Sequence, residues 1–392
     1  MDVAKEPIDQ RSFRIETAAS KEESKIDESG IDESEIDDSG IDDRNSADGT
    51  NNDANSVGVR NGNFFGLTCS TEAASLVFLS VPWDVTTSYG EGTAKGPEAM
   101  LAASYQLDLY DFDVPNAWEI GYGTLPISAE IKRENSRVRV LAKAVIDHLE
   151  AGGKVQDAAI QPNLIQVNQA SAALNEWVYA QTTDLLAQGK LIGVVGGDHS
   201  VPLGYMQALA EKHESYGILQ IDAHADLRQG FEGFTYSHAS IMHNALQLQG
   251  VSRLVQVGIR DVCEAEMRRI RRDRTIVLFD DWQLKDNAYA GVSWARQCEN
   301  IVATLPQKVY VSFDIDGLSP EFCAHTGTPV PGGLDFNQAL YLLKSLVKAG
   351  KTIIGFDLCE VAPGASGEWD GNVGARLLYK LANFTCFSQT RS

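Results

Sequence analysis

The chain has 392 residues, of which 43% are hydrophobic, and a formal net charge of −21. It is long enough for one large domain or two small ones, and its acidity excludes an unaided nucleic-acid or anionic-membrane partner while suiting a small cationic substrate. The six cysteines form no CxxC pair or tight cluster, no apolar run approaches the roughly 20 residues of a membrane span, and the N-terminus has no leader pattern, so a reducing, cytoplasmic setting is expected.

Residues 1–57 are rich in Asp, Glu, Ser, Asn and Gly. A five-residue acidic unit begins at Ile26 and recurs at Ile31, Ile36 and Ile41. A period of five matches neither helix nor strand, so this stretch reads as a disordered, low-complexity acidic tail preceding a folded domain over 58–392. It lacks the ligand spacing of an EF-hand.

From about Ala73, apolar β-branched runs alternate with amphipathic stretches. In chain order the pattern predicts a strand over 76–81, helices over 98–103, 137–149 and 172–187, and a strand over 191–195. A helix over 202–213, a strand over 217–221, a helix over 239–248 and a strand over 254–258 follow. The remainder reads as helix 264–271, strand 275–278, helix 294–304, strand 309–313, helix 336–348, strand 352–356 and helix 373–382. Uninterrupted apolar strands separated by helices predict a mainly parallel sheet covered on both faces, with ligands bound beyond the strands' carboxyl ends.

Metal-ligand-type residues stand at those ends: His199, then Asp222, His224 and Asp226, then Asp314 and Asp316. Alternation in an extended chain puts Asp222, His224 and Asp226 on one side, and the same period groups Asp314 with Asp316. Two imidazoles and four carboxylates can hold two divalent cations a few ångströms apart, an arrangement that serves hydrolysis.

The segments Gly196-Gly197-Asp198-His199-Ser200, Asp222-Ala223-His224-Ala225-Asp226 and Ser312-Phe313-Asp314-Ile315-Asp316-Gly317 resemble the arginase/agmatinase (ureohydrolase) family, as do Thr326-Gly327-Thr328-Pro329-Val330 and Gly332-Gly333 after them. The similarity runs in matching order from Val81-Pro82 to Glu360-Val361-Ala362-Pro363. It implies a three-layer α/β/α arginase/deacetylase-like domain, hydrolysis of a guanidino C–N bond at a binuclear manganese site, and assembly as a homo-oligomer, a trimer or hexamer. By that pattern His199, Asp222, Asp226 and Asp314 hold one ion, and Asp222, His224, Asp314 and Asp316 the other. The same donors suit nickel or cobalt. The resemblance also implies that Asp226 passes a proton to the departing amine, that Glu360 pairs with the guanidinium, and that His238 shuttles protons as an imidazole titrating near neutrality. Where the family has glycine after that histidine, this chain has Ala239. Where the family has a carboxylate in its third metal segment, this chain has Ser319, which bears on the rigidity of that loop.

The loop from Leu227 to Tyr236 lacks the small polar residues with which arginases bind the substrate carboxylate, and Cys263 stands where arginases offer an Asp to the ammonium. Arginine is therefore disfavoured. An agmatine-like substrate ranks first, with Glu232 as acceptor for a distal ammonium. Free guanidine ranks second, with Phe231, Phe234 and Tyr236 filling the space of a longer tail. Formimidoylglutamate ranks third, its carboxylate paired with Arg228. Less favoured readings are a single-zinc deacetylase of the same architecture and an inactive regulatory subunit working through the tail.

Overall fold

The computed structural model describes residues 58–365 and 368–390, so the acidic tail of residues 1–57 lies outside the described residues. Eight strands form one sheet: β1 (Leu76–Val81), β2 (Tyr122–Thr124), β3 (Leu191–Gly196), β4 (Tyr216–Ile221), β5 (Val251–Val257), β6 (Ile276–Phe279), β7 (Lys308–Asp314) and β8 (Thr352–Cys359). Their spatial order is β2-β1-β3-β8-β7-β4-β5-β6, and every pairing is parallel. Parallel strands need long crossovers, and helices supply them.

The helices are α1 (Gly96–Ser104), α2 (Ala129–Glu150), α3 (Gln161–Ala187), α4 (Leu203–Lys212), α5 (Ile241–Ala245), α6 (Glu264–Arg272), α7 (Asp281–Tyr289), α8 (Trp294–Ala303), α9 (Phe336–Lys348) and α10 (Trp369–Gln389). One core joins Leu219, Val255, Val311 and Phe356 of the sheet to α1, α8, α9 and α10. The other joins Ile218, Leu254 and Tyr310 to α2, α3, α4 and α5. Alternate strand residues thus feed opposite cores, which is why the strands read as unbroken apolar runs. The result is the expected three-layer α/β/α arrangement. Among the described residues no helix is long and apolar enough to cross a membrane.

The structure adds elements the pattern missed. β2 is only three residues long, Tyr-Gly-Thr, and α7 buries only Asp281 and Leu284, so neither shows a periodic apolar stripe. α5 is shorter than the expected 239–248, because His238–Ser240 form a 3-10 turn capped by Ser237.

One layer of the sheet positions the site. On the face toward α2–α5, Gln256, Gln220, Ser312 and Asp357 stand side by side in register across β5, β4, β7 and β8, all fully buried. Gln256 Nε2 donates to Gln220 Oε1 (2.6 Å), and Ser312 Oγ donates to Asp357 Oδ2 (2.8 Å). Two residues further along their strands come Asp222 and Asp314. A polar shelf therefore lies directly beneath the candidate ligands.

Candidate metal centre

His199 follows β3 on the Gly196-Gly197 turn. A Cβ on Gly197 would lie 1.9 Å from Trp83 O, so only glycine lets the chain pass there. His199 is fully buried, and its Nδ1 lies 3.0 Å from Asp222 Oδ2, 3.1 Å from Asp226 Oδ2 and 3.4 Å from Asp314 Oδ2. Its Nε2 contacts Ser312 Oγ at 2.9 Å. On the other side of Asp222, His224 Nδ1 lies 3.1 Å from Asp316 Oδ2 and 3.7 Å from Asp222 Oδ1.

Backbone and side-chain donors fix these carboxylates. Gln220 Nε2 donates to Asp222 Oδ2 (2.7 Å), Ala223 N–H to Asp316 Oδ1 (3.0 Å) and Asp316 N–H to Asp314 Oδ1 (2.9 Å). Asp226 sits in the left-handed region at φ 53°, held by Met242 and His243 N–H groups donating to its carbonyl. Glu360 is left-handed too, at φ 65°, with its N–H on Gly197 O and its Oε1 accepting from His199 N–H (2.9 Å). Non-glycine residues adopt this conformation at a cost of about 1–3 kcal/mol, and it persists only where neighbours enforce it.

Can these residues hold metal? His199 Nδ1 and Asp316 Oδ2 are buried without a hydrogen-bond partner. Ligand atoms of His199, Asp222 and Asp226, and separately of Asp222, His224 and Asp316, fall within 4.8 Å of one another. A single proton on His199 Nδ1 cannot serve three carboxylates at once, whereas a cation can, so the donor set fits a pair of divalent ions.

The electrostatics agree. Burial first, then the Asp222 charge, pushes the Asp226 carboxyl up to about 8. Burial, Asp316 and Asp222 together raise Asp314 well above the usual range. Burial alone would lower His224, but Asp316 and Asp222 override it and lift the imidazole to about 12. Without cations this cluster retains protons that metal binding displaces.

Above the cluster lies a cavity of about 160 Å³ whose walls include His224, Asp226, Arg228, Phe231, His238 and Asp261. His238 packs edge-to-face on Phe231 (6.1 Å, 82°) and contacts Ser237 Oγ through Nδ1 at 3.3 Å. Its expected titration near neutrality is corrected here: burial, then the positive neighbours His224 and His199, pull it down to about 3.

The substrate-loop expectations also shift. Cys263 is the N-terminal flanking residue of α6 and gives its N–H to Glu266 Oε2 (3.1 Å), whereas Asp261, two residues earlier, lines the cavity. Glu232, like Glu360, is not among the lining residues; its carboxyl is raised by burial and by Glu150, and its Oε2 is buried without a partner. Of the three aromatics, Phe231 lines the cavity, Phe234 is fully buried and Tyr236 packs against the core shared with α2–α5. Arg228 stacks over Phe231 (4.9 Å) and approaches Glu266 at 3.9 Å. Glu360 lies beside Thr326-Gly327-Thr328: a Cβ on Gly327 would be 3.0 Å from Oε2, an oxygen that is buried and unpartnered.

Sequence reasoning passed over Arg260. Its guanidinium donates to Gly258 O (3.1 Å), Asp316 O (2.7 Å), Leu318 O (3.2 Å) and Val330 O (2.8 Å). It ties down the loop that runs from Asp316 through Leu318 to Val330. Gln220, Ser312 and Asp357 were also missed, although a polar residue inside an apolar strand marks each of them.

Comparison with known proteins agrees with this geometry. Residues 74–382 match the family model described as the arginase family. An N(1)-aminopropylagmatine ureohydrolase of Synechocystis sp. is 30% identical over 321 residues, which cover 81% of this chain and 91% of that protein. A guanidinobutyrase of Pseudomonas aeruginosa is 29% identical over 324 residues, 79% of this chain and 86% of its own. The crystal structure of agmatine ureohydrolase of Thermoplasma volcanium shares the fold, with a TM-score of 0.63 at 23% identity over 82% of this chain and 94% of that one. This chain belongs to the arginase family, a family of binuclear metal-dependent hydrolases.

Proposed function

We propose that this protein hydrolyses the guanidino C–N bond of a small substrate with a cationic tail, agmatine or an aminopropylated agmatine, giving urea and an amine. The observation that carries the reading is the charge at the cavity mouth. Asp261 is open to solvent, with His224 Nε2 at 3.9 Å, and Arg228 on the same wall lies 3.9 Å from Glu266 and stacks over Phe231 at 4.9 Å, so the cavity wall sets Asp226, Asp261 and Glu266 against one guanidinium. The rim therefore offers negative charge to an ammonium. The same balance weighs against formimidoylglutamate, whose carboxylates would meet Asp261.

His199, Asp222, Asp226 and Asp314 would hold one divalent cation, and Asp222, His224, Asp314 and Asp316 the other. Manganese is the first choice for this nitrogen and oxygen set, and nickel fits it as well. When bound, the pair supplies Lewis acidity and lowers the pKa of water to near neutrality. The rest is the work of the chain. Glu360 Oε2, buried and unpartnered, accepts from the guanidinium and fixes its plane. Water adds to the guanidinium carbon, Asp226 takes the proton left on the attacking oxygen and passes it to the substrate's tail nitrogen, and the bond to that nitrogen breaks to give urea and the amine. His238, at the cavity wall, is placed to relay a proton between solvent and the leaving amine. By resemblance the protein works as a cytoplasmic homo-oligomer, a trimer or hexamer.

The small cavity, about 160 Å³, with Phe231 in its wall, supports free guanidine as the second reading. A substrate panel separates the two. Protein loaded with manganese or with nickel is given agmatine, N(1)-aminopropylagmatine, 4-guanidinobutyrate, arginine, guanidine and formimidoylglutamate, and urea, ammonia and formamide are measured. Urea from agmatine or its aminopropyl relative is the expected result. Turnover confined to guanidine supports the second reading, and no product from any substrate overturns both.

A further inference from the structure

We infer that Asp357, acting through Ser312, sets the tautomer of His199 and so decides whether that histidine can hold a cation. Nothing else in the molecule assigns a role to either residue, and the inference rests on the reading of His199 as a metal ligand.

The geometry is a relay of fully buried groups. His199 Nε2 lies 2.9 Å from Ser312 Oγ, and Ser312 Oγ lies 2.8 Å from Asp357 Oδ2. Asp357 Oδ1 faces Cys359 Sγ at 3.5 Å and His199 Nε2 at 3.6 Å. Burial raises the Asp357 carboxyl while the His199 charge and the Ser312 hydroxyl favour its ionised form; as a carboxylate it only accepts, so the single Ser312 proton goes to it. Having spent its proton, the Ser312 oxygen can only accept from His199, which fixes the hydrogen on Nε2. In the cation-loaded site the lone pair is then on Nδ1, the atom that faces Asp222, Asp226 and Asp314, whereas without a cation those carboxylates hold a proton on Nδ1 as well. A serine relay in place of a direct carboxylate–histidine contact carries the same information one bond further. Register makes it possible: Ser312 and Asp357 are paired neighbours on β7 and β8, and Ser312 lies two residues before Asp314 on the same face.

The two residues are therefore positioning residues with different predicted weights. In Asp357→Asn the side-chain amide can donate to Ser312, whose hydroxyl then turns to donate to His199 Nε2. That reversal puts the imidazole proton on Nδ1 and removes the ligand. In Ser312→Ala the Asp357 carboxylate remains near Nε2 and still favours the correct tautomer, so the loss is smaller.

The test is Mn2+ binding to the full-length, metal-stripped chain by calorimetry and metal analysis, with thermal unfolding as a check on folding and ¹⁵N imidazole shifts of the chain loaded with diamagnetic Zn2+ reporting the His199 tautomer. Wild type is expected to bind two ions. Asp357→Asn should weaken one of them about 10- to 100-fold, shift the His199 proton to Nδ1 and leave the second ion bound, with Ser312→Ala showing a smaller loss. If Asp357→Asn fails to fold, the Ser312→Ala affinity and tautomer measurements carry the test alone. Wild-type affinity in both variants, or a larger loss from Ser312→Ala than from Asp357→Asn, would overturn the relay while leaving the metal site intact. A wild-type chain that binds no Mn2+ would overturn the metal reading and the relay with it.

Discussion

Replacing Arg260 with methionine keeps most of the side chain's length and apolar stem while deleting its donors. The guanidinium holds carbonyls from both ends of the loop, Asp316 and Leu318 on one side and Val330 on the other, at 2.7–3.2 Å. It also anchors to Gly258 (3.1 Å) at the end of β5. A hydrogen bond from a charged donor contributes about 1.5–3 kcal/mol, and these are neither additive nor fully sealed from water, so the net loss is about 3–5 kcal/mol. At about 2 °C per kcal/mol for a chain of this size, the melting temperature of the metal-stripped protein should fall by about 6–10 °C. Because the loop begins at Asp314 and Asp316, Mn2+ affinity should fall about 10- to 100-fold as well. Arg260→Lys supplies a point charge without the planar fork and should recover less than half of either loss. Differential scanning calorimetry and Mn2+ titration make the comparison. A methionine variant that melts within about 1 °C of wild type and binds Mn2+ normally would refute the claim that Arg260 holds the loop that carries Asp314 and Asp316.

Other predictions follow from the charges. Asp261→Asn should raise the KM for agmatine about two- to fivefold, the range for an exposed ion pair of about 0.2–1 kcal/mol, and leave the KM for guanidine unchanged; steady-state urea assays decide. His238→Ala should lower kcat about 100-fold or more, as for loss of a proton-transfer group, with both ions retained by metal analysis. His238 lies at about 3 in the fold against about 6.5 unfolded. Between those values the unfolded chain binds the extra proton, so this residue's contribution to stability is lost as pH falls through that window. An NMR titration should accordingly find the His238 ring unprotonated at pH 6. The metal cluster has the opposite sign. Asp226 at about 8 and His224 at about 12 retain protons in the metal-stripped fold, so their contribution is lost as pH rises. The gap in melting temperature between Mn2+-loaded and stripped protein should therefore widen from about pH 5 to about pH 8, with protons released on binding. A gap that narrows over that range would contradict the assignment.

Much of this could be read in the sequence because buried parallel strands announce themselves as apolar runs, and ligands must stand at their ends. The candidate metal ligands converge at one end of the sheet for that reason. Elements without a repeating apolar face, β2 and α7, gave nothing to read. The loop after Asp226 was harder, since its course depends on tertiary contacts: Glu266, from α6, accepts the Leu227 N–H (3.0 Å) and the Cys263 N–H (3.1 Å). That contact makes Cys263 part of a helix start and leaves Asp261 at the cavity. Burial is likewise invisible in a linear pattern, so the depressed His238 could be found only in three dimensions. The shelf of Gln256, Gln220, Ser312 and Asp357 is an intermediate case, because each polar residue stands out in its strand while their alignment needs the register.

Urea release from agmatine tests the central claim most directly when metal-loaded wild type, metal-stripped wild type and loaded Asp226→Asn are compared in one assay. The expected result is urea from the loaded wild type alone, restored to the stripped protein by Mn2+, with Asp226→Asn folded but inactive. Undiminished urea release by the stripped protein or by Asp226→Asn would contradict the assignment of the reaction to this cluster.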